Sequence, residues 1–338
     1  MYKQFLLCLL IVGVLLTFGC AEKNTAFVEE SAVKKLAQVS VVGNPSQIDT
    51  GDNYAFIALD QGGLAQIDLS NFKLSWYPEM EAQDGSIFKF WRNRRLAYTE
   101  ETDCLFFYEV QTTDKFHVIS TENPDSLKVI DAITGGTGSV QDIHARALDE
   151  PLEDNTMEIA FCGQSMTLRY ALYDGELYLG TQYGVDTDFY LSGVYIDGNY
   201  IYTAAQQQGL AIFNKENGAY VSHAVTGGEA QKLVVKDGYA YLAARQGGLK
   251  IVDVRDVNSP VLVGSYDTIG HATFVDYSNG HAAVSSGSGG AYLFDVSDPT
   301  SPKLKERITE CGYVNSVKME GDILIVGSRD EGIFFYEF

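Results

Sequence analysis

The chain has 338 residues, 46% of them apolar, with 33 glycines, 21 tyrosines and 18 phenylalanines. Such a composition suits a large core built from many short strands and tight turns rather than from helices. A formal charge of −21 argues against a nucleic-acid partner, whose phosphates would be repelled, and fits a soluble surface, a cationic partner or neutral sugars.

In chain order, Lys3, an uninterrupted apolar run from Phe5 to Phe18, and Gly19-Cys20 come first. The run is short for a membrane span, which needs about 20 residues, and normal for a signal-peptide core, so 1–19 reads as a signal peptide. Leu16-Thr17-Phe18-Gly19-Cys20 resembles a bacterial lipobox, with Thr17 where leucine is usual. The resemblance implies lipidation of Cys20 and, because Ala21 rather than Asp follows, a lipid anchor in the outer membrane of the cell envelope; plain secretion is the alternative. Two or three acyl chains, at about 0.8 kcal/mol per buried CH₂, hold stably where one does not. Residues 20–33 then form the lipidated cysteine and a polar tether, and 34–338 a single domain. Within it Cys104, Cys162 and Cys311 lack C-x-x-C spacing and nearby histidines, so no metal or cofactor is expected. Buried free thiols are expected, with one disulfide as the alternative.

A three-part pattern then repeats. Asp237–Thr268 is its clearest copy: an Asp-Gly turn, a β-rich run, a break at Gly247-Gly248, a second run over Leu249–Val254, an Asp/Asn/Ser/Pro break, and a third run over Val261–Tyr266. The glycine before the middle run recurs at Gly63, Gly209, Gly248, Gly290 and Gly332, the last four spaced by 39, 42 and 42 residues. The interval from Gly63 to Gly209 spans about three periods. Two degenerate copies fill it, with Cys104 and Thr167 in the marker slot, which makes seven units. A period near 40 residues with four strands per unit predicts an all-β, seven-bladed β-propeller of four-stranded antiparallel blades. In the sixth unit the strands are expected over Thr273–Tyr277, Ala282–Ser285, Ala291–Val296 and Leu304–Ile308. The last unit stops at Phe338 after its third strand, while Lys35–Val42 (KLAQVSVV) precedes the first. The N-terminal segment is therefore expected to complete the last blade as its outermost strand.

Leu249-Lys250-Ile251-Val252-Asp253, followed by Asn258-Ser259-Pro260 and Leu262-Val263-Gly264, resembles the LVIVD-repeat family of bacterial propeller proteins. Ala291–Asp295 with Asp298-Pro299 and Ser301-Pro302, and Leu64–Asp68, resemble it more loosely. The resemblance implies a propeller at a bacterial cell surface and no shared catalytic residues.

In a propeller the turns between second and third strands share one face, here the top face, with the links between blades, and ligands commonly sit there over the axis. By this phase the turns carry Gln61, Glu101, Asp103, Gln164, Gln206, Gln207, Gln208, Arg245, Gln246, Ser288, Arg329, Asp330 and Glu331. They are a candidate ligand-binding set, or simply polar because hairpin tips are wet. Asp142, His144, Gln231, His271 and Asn315 fall near first-strand starts, at the channel mouth. They read as water-bridged lining or, as a His-plus-carboxylate set, as a metal or proton-transfer group. Thr121–Ser139 reads as a long link rising on the top face as a lid or rim. Asp149–Asn155 reads as a smaller insertion on the opposite face. No nucleophile elbow, phosphate-cradling glycine loop or metalloprotease motif is present. The expected function is that of a non-catalytic cell-envelope lipoprotein whose top face binds a protein or glycan partner. The alternatives are a polysaccharide hydrolase or lyase using acidic and histidine groups at the mouth, and a structural envelope component.

Overall fold

In a computed structural model, residues 31–110, 115–134, 140–148, 156–163, 167–173 and 178–338 are described. Cys20, Gln164 and the 149–155 insertion lie outside them. In chain order the strands are β1 (Lys34–Val39), β2 (Gln47–Thr50), β3 (Tyr54–Ala58), β4 (Leu64–Asp68), β5 (Leu74–Tyr77), β6 (Glu79–Glu81), β7 (Ile87–Lys89), β8 (Asn93–Thr99), β9 (Cys104–Glu109), β10 (Lys115–Ser120), β11 (Lys128–Thr134), β12 (Val140–Ala147), β13 (Met157–Gly163), β14 (Thr167–Tyr173) and β15 (Tyr178–Asp186). They continue as β16 (Gly193–Asp197), β17 (Tyr200–Ala204), β18 (Leu210–Asn214), β19 (Tyr220–Ala224), β20 (Lys232–Lys236), β21 (Tyr239–Ala243), β22 (Leu249–Asp253), β23 (Val261–Tyr266), β24 (Phe274–Ser278), β25 (His281–Ser285), β26 (Ala291–Asp295), β27 (Lys303–Ile308), β28 (Val314–Glu320), β29 (Ile323–Ser328) and β30 (Gly332–Glu337). Seven four-stranded antiparallel sheets result: β2–β5, β8–β11, β12–β15, β16–β19, β20–β23, β24–β27, and β28–β30 with β1. The chain is a seven-bladed propeller.

Apolar side chains form one buried cluster between each pair of neighbouring blades, the pair of blades seven and one included. Burial between sheets, rather than within any one sheet, is what closes the ring.

The marker glycine has a steric reason. Gly248 sits at φ +66, and a Cβ there would lie 2.2 Å from the carbonyl oxygen of Tyr266 on the outermost strand. Only glycine accepts both the left-handed backbone and that approach. In blade seven the same carbonyl comes from β1: a Cβ on Gly332 would lie 2.3 Å from Val39 O. Strand β1 pairs with β30 through Lys34↔Glu337, Lys35↔Tyr336, Ala37↔Phe335, Gln38↔Phe334 and Val39↔Ile333. Its register shift matches those between third and fourth strands in blades four, five and six. The N-terminal segment therefore completes the last blade.

Blade two departs from the expected phase. Cys104 opens β9, the second strand, because β8 rather than an earlier segment is innermost. Glu101 and Asp103 consequently occupy the turn between first and second strands, on the face opposite the one expected. The short 3₁₀ turn Glu100–Thr102, ending on Asp103 at φ +49, imitates the marker turn. The expected long link Thr121–Ser139 likewise contains the fourth strand of blade two, β11; its end, 135–139, lies outside the described residues. The real insertion is 78–92, between blades one and two. It forms the hairpin β6–β7, where links such as 187–192 and 309–313 are five or six residues. Met80, Ala82 and Phe90 bury the hairpin against Leu127 and Val129 of blade two, and Gln83 N–H donates to Val129 O at 3.2 Å.

Candidate functional site

The top face is built from stitched turns. Arg245, at φ +41, exchanges two backbone hydrogen bonds with Ala272 of the next link, 2.9 and 3.0 Å. Ala230 N–H donates to Gln206 O at 3.0 Å, Asn93 N–H to Asp60 O at 2.9 Å and Val314 N–H to Gly287 O at 2.9 Å. The backbone of these four turns is thus spent on holding the next blade. Gln61, Gln207, Gln246 and Arg329 are exposed, as is Arg245, whose Nη1 lies 3.3 Å from Glu229 Oε1. Arg329 pairs with Asp330 at 3.1 Å and lies 4.2 Å over the Tyr313 ring. Gln207 and Gln246 line neither the channel mouth nor the chamber below it, and His271 is exposed on the link between blades five and six, outside the mouth lining.

The channel mouth is a cavity of about 280 Å³. Gln231 and Asn315 line it, as expected. With them stand Ser46, Gln141, Ser192 and Thr273, a neutral polar ring from the first strands, and four charged groups: Asp60, Arg94, Arg95 and Lys232. Sequence reasoning missed these charges. Asp60 is shared by Arg92 and Arg94 at 3.6 and 3.4 Å. Lys232 pairs with Asp142 and lies 5.1 Å from the Phe274 ring centroid. Arg95 has no carboxylate partner among the described residues. Its Nε donates to Gln141 O, and its Nη1 to Arg94 O at 3.0 Å. Burial, then the neighbouring Arg94, pushes the Arg95 guanidinium down to about 10. Burial, then Arg95, likewise holds the Lys232 ammonium below the usual lysine range.

Asp142 and His144 lie lower, lining a second chamber of about 90 Å³ with Asp49, Tyr195, Asp276 and Lys318. Both are occupied by inter-blade hydrogen bonds. Val194 N–H donates to Asp142 Oδ2 at 3.0 Å, and Ile196 N–H donates to His144 Nδ1 at 3.2 Å. The His144 ring packs on Tyr195 with centroids 4.1 Å apart, and burial pushes its pKa down to about 3. The device recurs: Tyr98 N–H donates to Asp49 at 2.9 Å and Met319 N–H to Asp276 at 2.8 Å. Lys318 holds both of those carboxylates, at 3.1 and 3.4 Å. Each acceptor joins one innermost strand to the next, a structural role that neither spacing nor composition signals. His144, neutral across physiological pH and with Nδ1 engaged, is not poised for proton transfer.

Further out, the insertion walls a groove of about 570 Å³ lined by Gln61, Pro78, Glu79, Lys89, Phe90 and Trp91. The chain's two tryptophans flank the insertion: Trp76 is 45% and Trp91 67% exposed. Trp76 Nε1 donates to Gly62 O at 2.7 Å, which holds its indole, and the Trp91 backbone N–H donates to Glu109 Oε1 at 3.3 Å. Cys104, Cys162 and Cys311 are buried free thiols.

A family model described as LVIVD repeat matches residues 42–72, 190–213, 227–268 and 269–310, which fall in blades one, four, five and six. Among solved structures, the WD40 beta propeller domain of Doa1 is similar at TM-score 0.68 and 13% identity, over 90% of this chain and 97% of that one. The computationally designed Ika8 protein is similar at TM-score 0.61 and 12% identity, over 90% of this chain and all of that one. At such identities the likeness speaks for the fold alone. No curated protein matches the chain.

Proposed function

The chain is an LVIVD-repeat β-propeller, and we propose that it is a non-catalytic, lipid-anchored protein of the bacterial envelope whose top face binds a protein or glycan partner. The observation that carries the reading is the β6–β7 insertion, which sets an exposed Trp91 beside Gln61, Glu79 and Lys89 in one groove. Large aromatic surface left in water is characteristic of recognition surfaces, where aromatics supply contact area and polar neighbours supply direction. The engagement of Asp142 and His144 in holding blades together weighs against the hydrolase or lyase alternative. The anchor rests on the lipobox-like Leu16–Cys20 segment; Cys20→Ala is expected to move the protein from the membrane to the soluble fraction. The test of binding is a glycan array and an envelope-extract pull-down with wild type and the double variant Trp91→Ala/Gln61→Ala. Loss of the captured partner at unchanged melting temperature supports the proposal. Undiminished capture by the variant overturns this groove as the site.

A further inference from the structure

The channel mouth carries a different signal from the tryptophan groove, with which it shares no lining residue. In a chain of net charge −21, Arg94, Arg95 and Lys232 converge on one cavity whose own carboxylate is Asp60. Asp60 is engaged by Arg92 and Arg94, and Asp142 by Lys232. Arg95 remains, bonded to two backbone carbonyls, with no carboxylate against it among the described residues. A partly buried cation without a counter-charge is costly, and it is held here by strand β8, whose backbone is fixed by pairing with β9. Around it stand the hydroxyls and amides of Ser46, Gln141, Gln231, Thr273 and Asn315. Guanidinium plus a ring of neutral hydrogen-bonding groups is the chemistry that recognises a carboxylate on a hydroxylated molecule. A cavity of about 280 Å³ is at the small end of ligand sites, so it takes one small molecule and not a polymer chain.

We propose that the channel mouth is a binding site for a small hydroxylated carboxylate of monosaccharide size, a sugar acid, with Arg95 as its counter-ion. Arg94 and Lys232 add to the attraction, while their own carboxylates keep them from neutralising it alone. The polar ring takes the hydroxyls. The proposal does not depend on the Trp91 groove, and the two are separable by variant.

The test is calorimetric titration of the full-length protein, in detergent at neutral pH and low salt, with glucuronate, glucose and inorganic phosphate. Saturable binding of glucuronate is expected, with at least tenfold weaker binding of glucose and of phosphate. Arg95→Gln should weaken glucuronate at least tenfold. Gln231→Glu, which places a carboxylate in the mouth without touching the blade interfaces, should do the same if Arg95→Gln fails to fold. Trp91→Ala, outside the cavity lining, should bind as wild type. No binding of glucuronate, equal binding of glucose, tighter binding of phosphate, or wild-type affinity in a folded Arg95→Gln or Gln231→Glu variant overturns the proposal.

Discussion

Removing residues 34–42 is the sharpest perturbation of the ring, because β1 supplies the fourth strand of blade seven and its apolar side chains help seal blade seven to blade one. Leu36, Ala37, Val39 and Val41 pack on the cluster of Ile325, Ile333 and Phe335, but they are only partly buried. Full burial of a leucine or valine stabilises by about 1.5–3 kcal/mol; half of that for three of them, with a little from the alanine, gives about 3–5 kcal/mol. Full burial of the same side chains would be worth about twice as much. The exposed pair Lys34–Glu337, 3.0 Å, adds little. Against a typical net stability of about 5–15 kcal/mol the loss is severe without being certain to unfold the ring. At about 2 °C per kcal/mol for a chain of this size, the melting temperature should fall by roughly 6–10 °C. The uncovered β30 is a bare strand edge, so light scattering should rise with the fall in stability. Circular dichroism melting and scattering of the deletion variant, with and without a synthetic 33–42 peptide added in trans, provide the assay. Melting unchanged to within about 1 °C, well inside what such a loss would produce, refutes the closure; recovery on adding peptide supports it.

Two further outcomes follow from the same geometry. His144 stays neutral in the folded chain down to about pH 3 while the unfolded chain takes up its proton below about 6.5. Stability should therefore fall as pH drops through that window, by up to roughly 5 kcal/mol from this residue. Urea unfolding of His144→Gln, which keeps an acceptor for Ile196 N–H, should show a shallower acid limb than wild type, and identical limbs would contradict the assignment. Gly248→Ala should destabilise by about 2–3 kcal/mol, because it combines a left-handed backbone with a carbonyl clash. Gly198→Ala, at φ +52 with open space around the added carbon, should cost only about 1 kcal/mol, and equal losses would deny the marker turn its steric role.

How far these features were legible depends on what each residue is forced to do. Gly63, Gly209, Gly248, Gly290 and Gly332 are required by a close approach that no other residue permits, so the period of the ring and its closure by the N-terminal segment stand plainly in the sequence. Blade two has Gln111-Thr112-Thr113-Asp114 between its second and third strands. Without a glycine there, the turn ending at Asp103 takes its place in the reading. That slip of one hairpin moves the insertion from 78–92 to 121–139. It also turns Asn93–Thr99 from an innermost strand into a second one, which removes Arg94 and Arg95 from the channel. Three arginines within four residues at 92–95, in so acidic a chain, were the available signal. Lys232 was hidden differently, as a lysine opening an apolar run that reads as a solvent-facing end. Gln231 and Asn315 were found because the phase is right in blades five and seven. Asp142 and His144 were rightly placed on an innermost strand, yet their use as acceptors for the N–H groups of blade four depends on how the blades pack, which local pattern does not encode.

The top face as the working surface, with Arg95 as the charge at its centre, is tested most directly by a crystal structure of the protein grown with glucuronate. A single molecule is expected in the channel mouth, its carboxylate on the Arg95 guanidinium and its hydroxyls on Gln231, Thr273 and Asn315. An empty mouth, or a ligand seated against the turns of the opposite face, would contradict it.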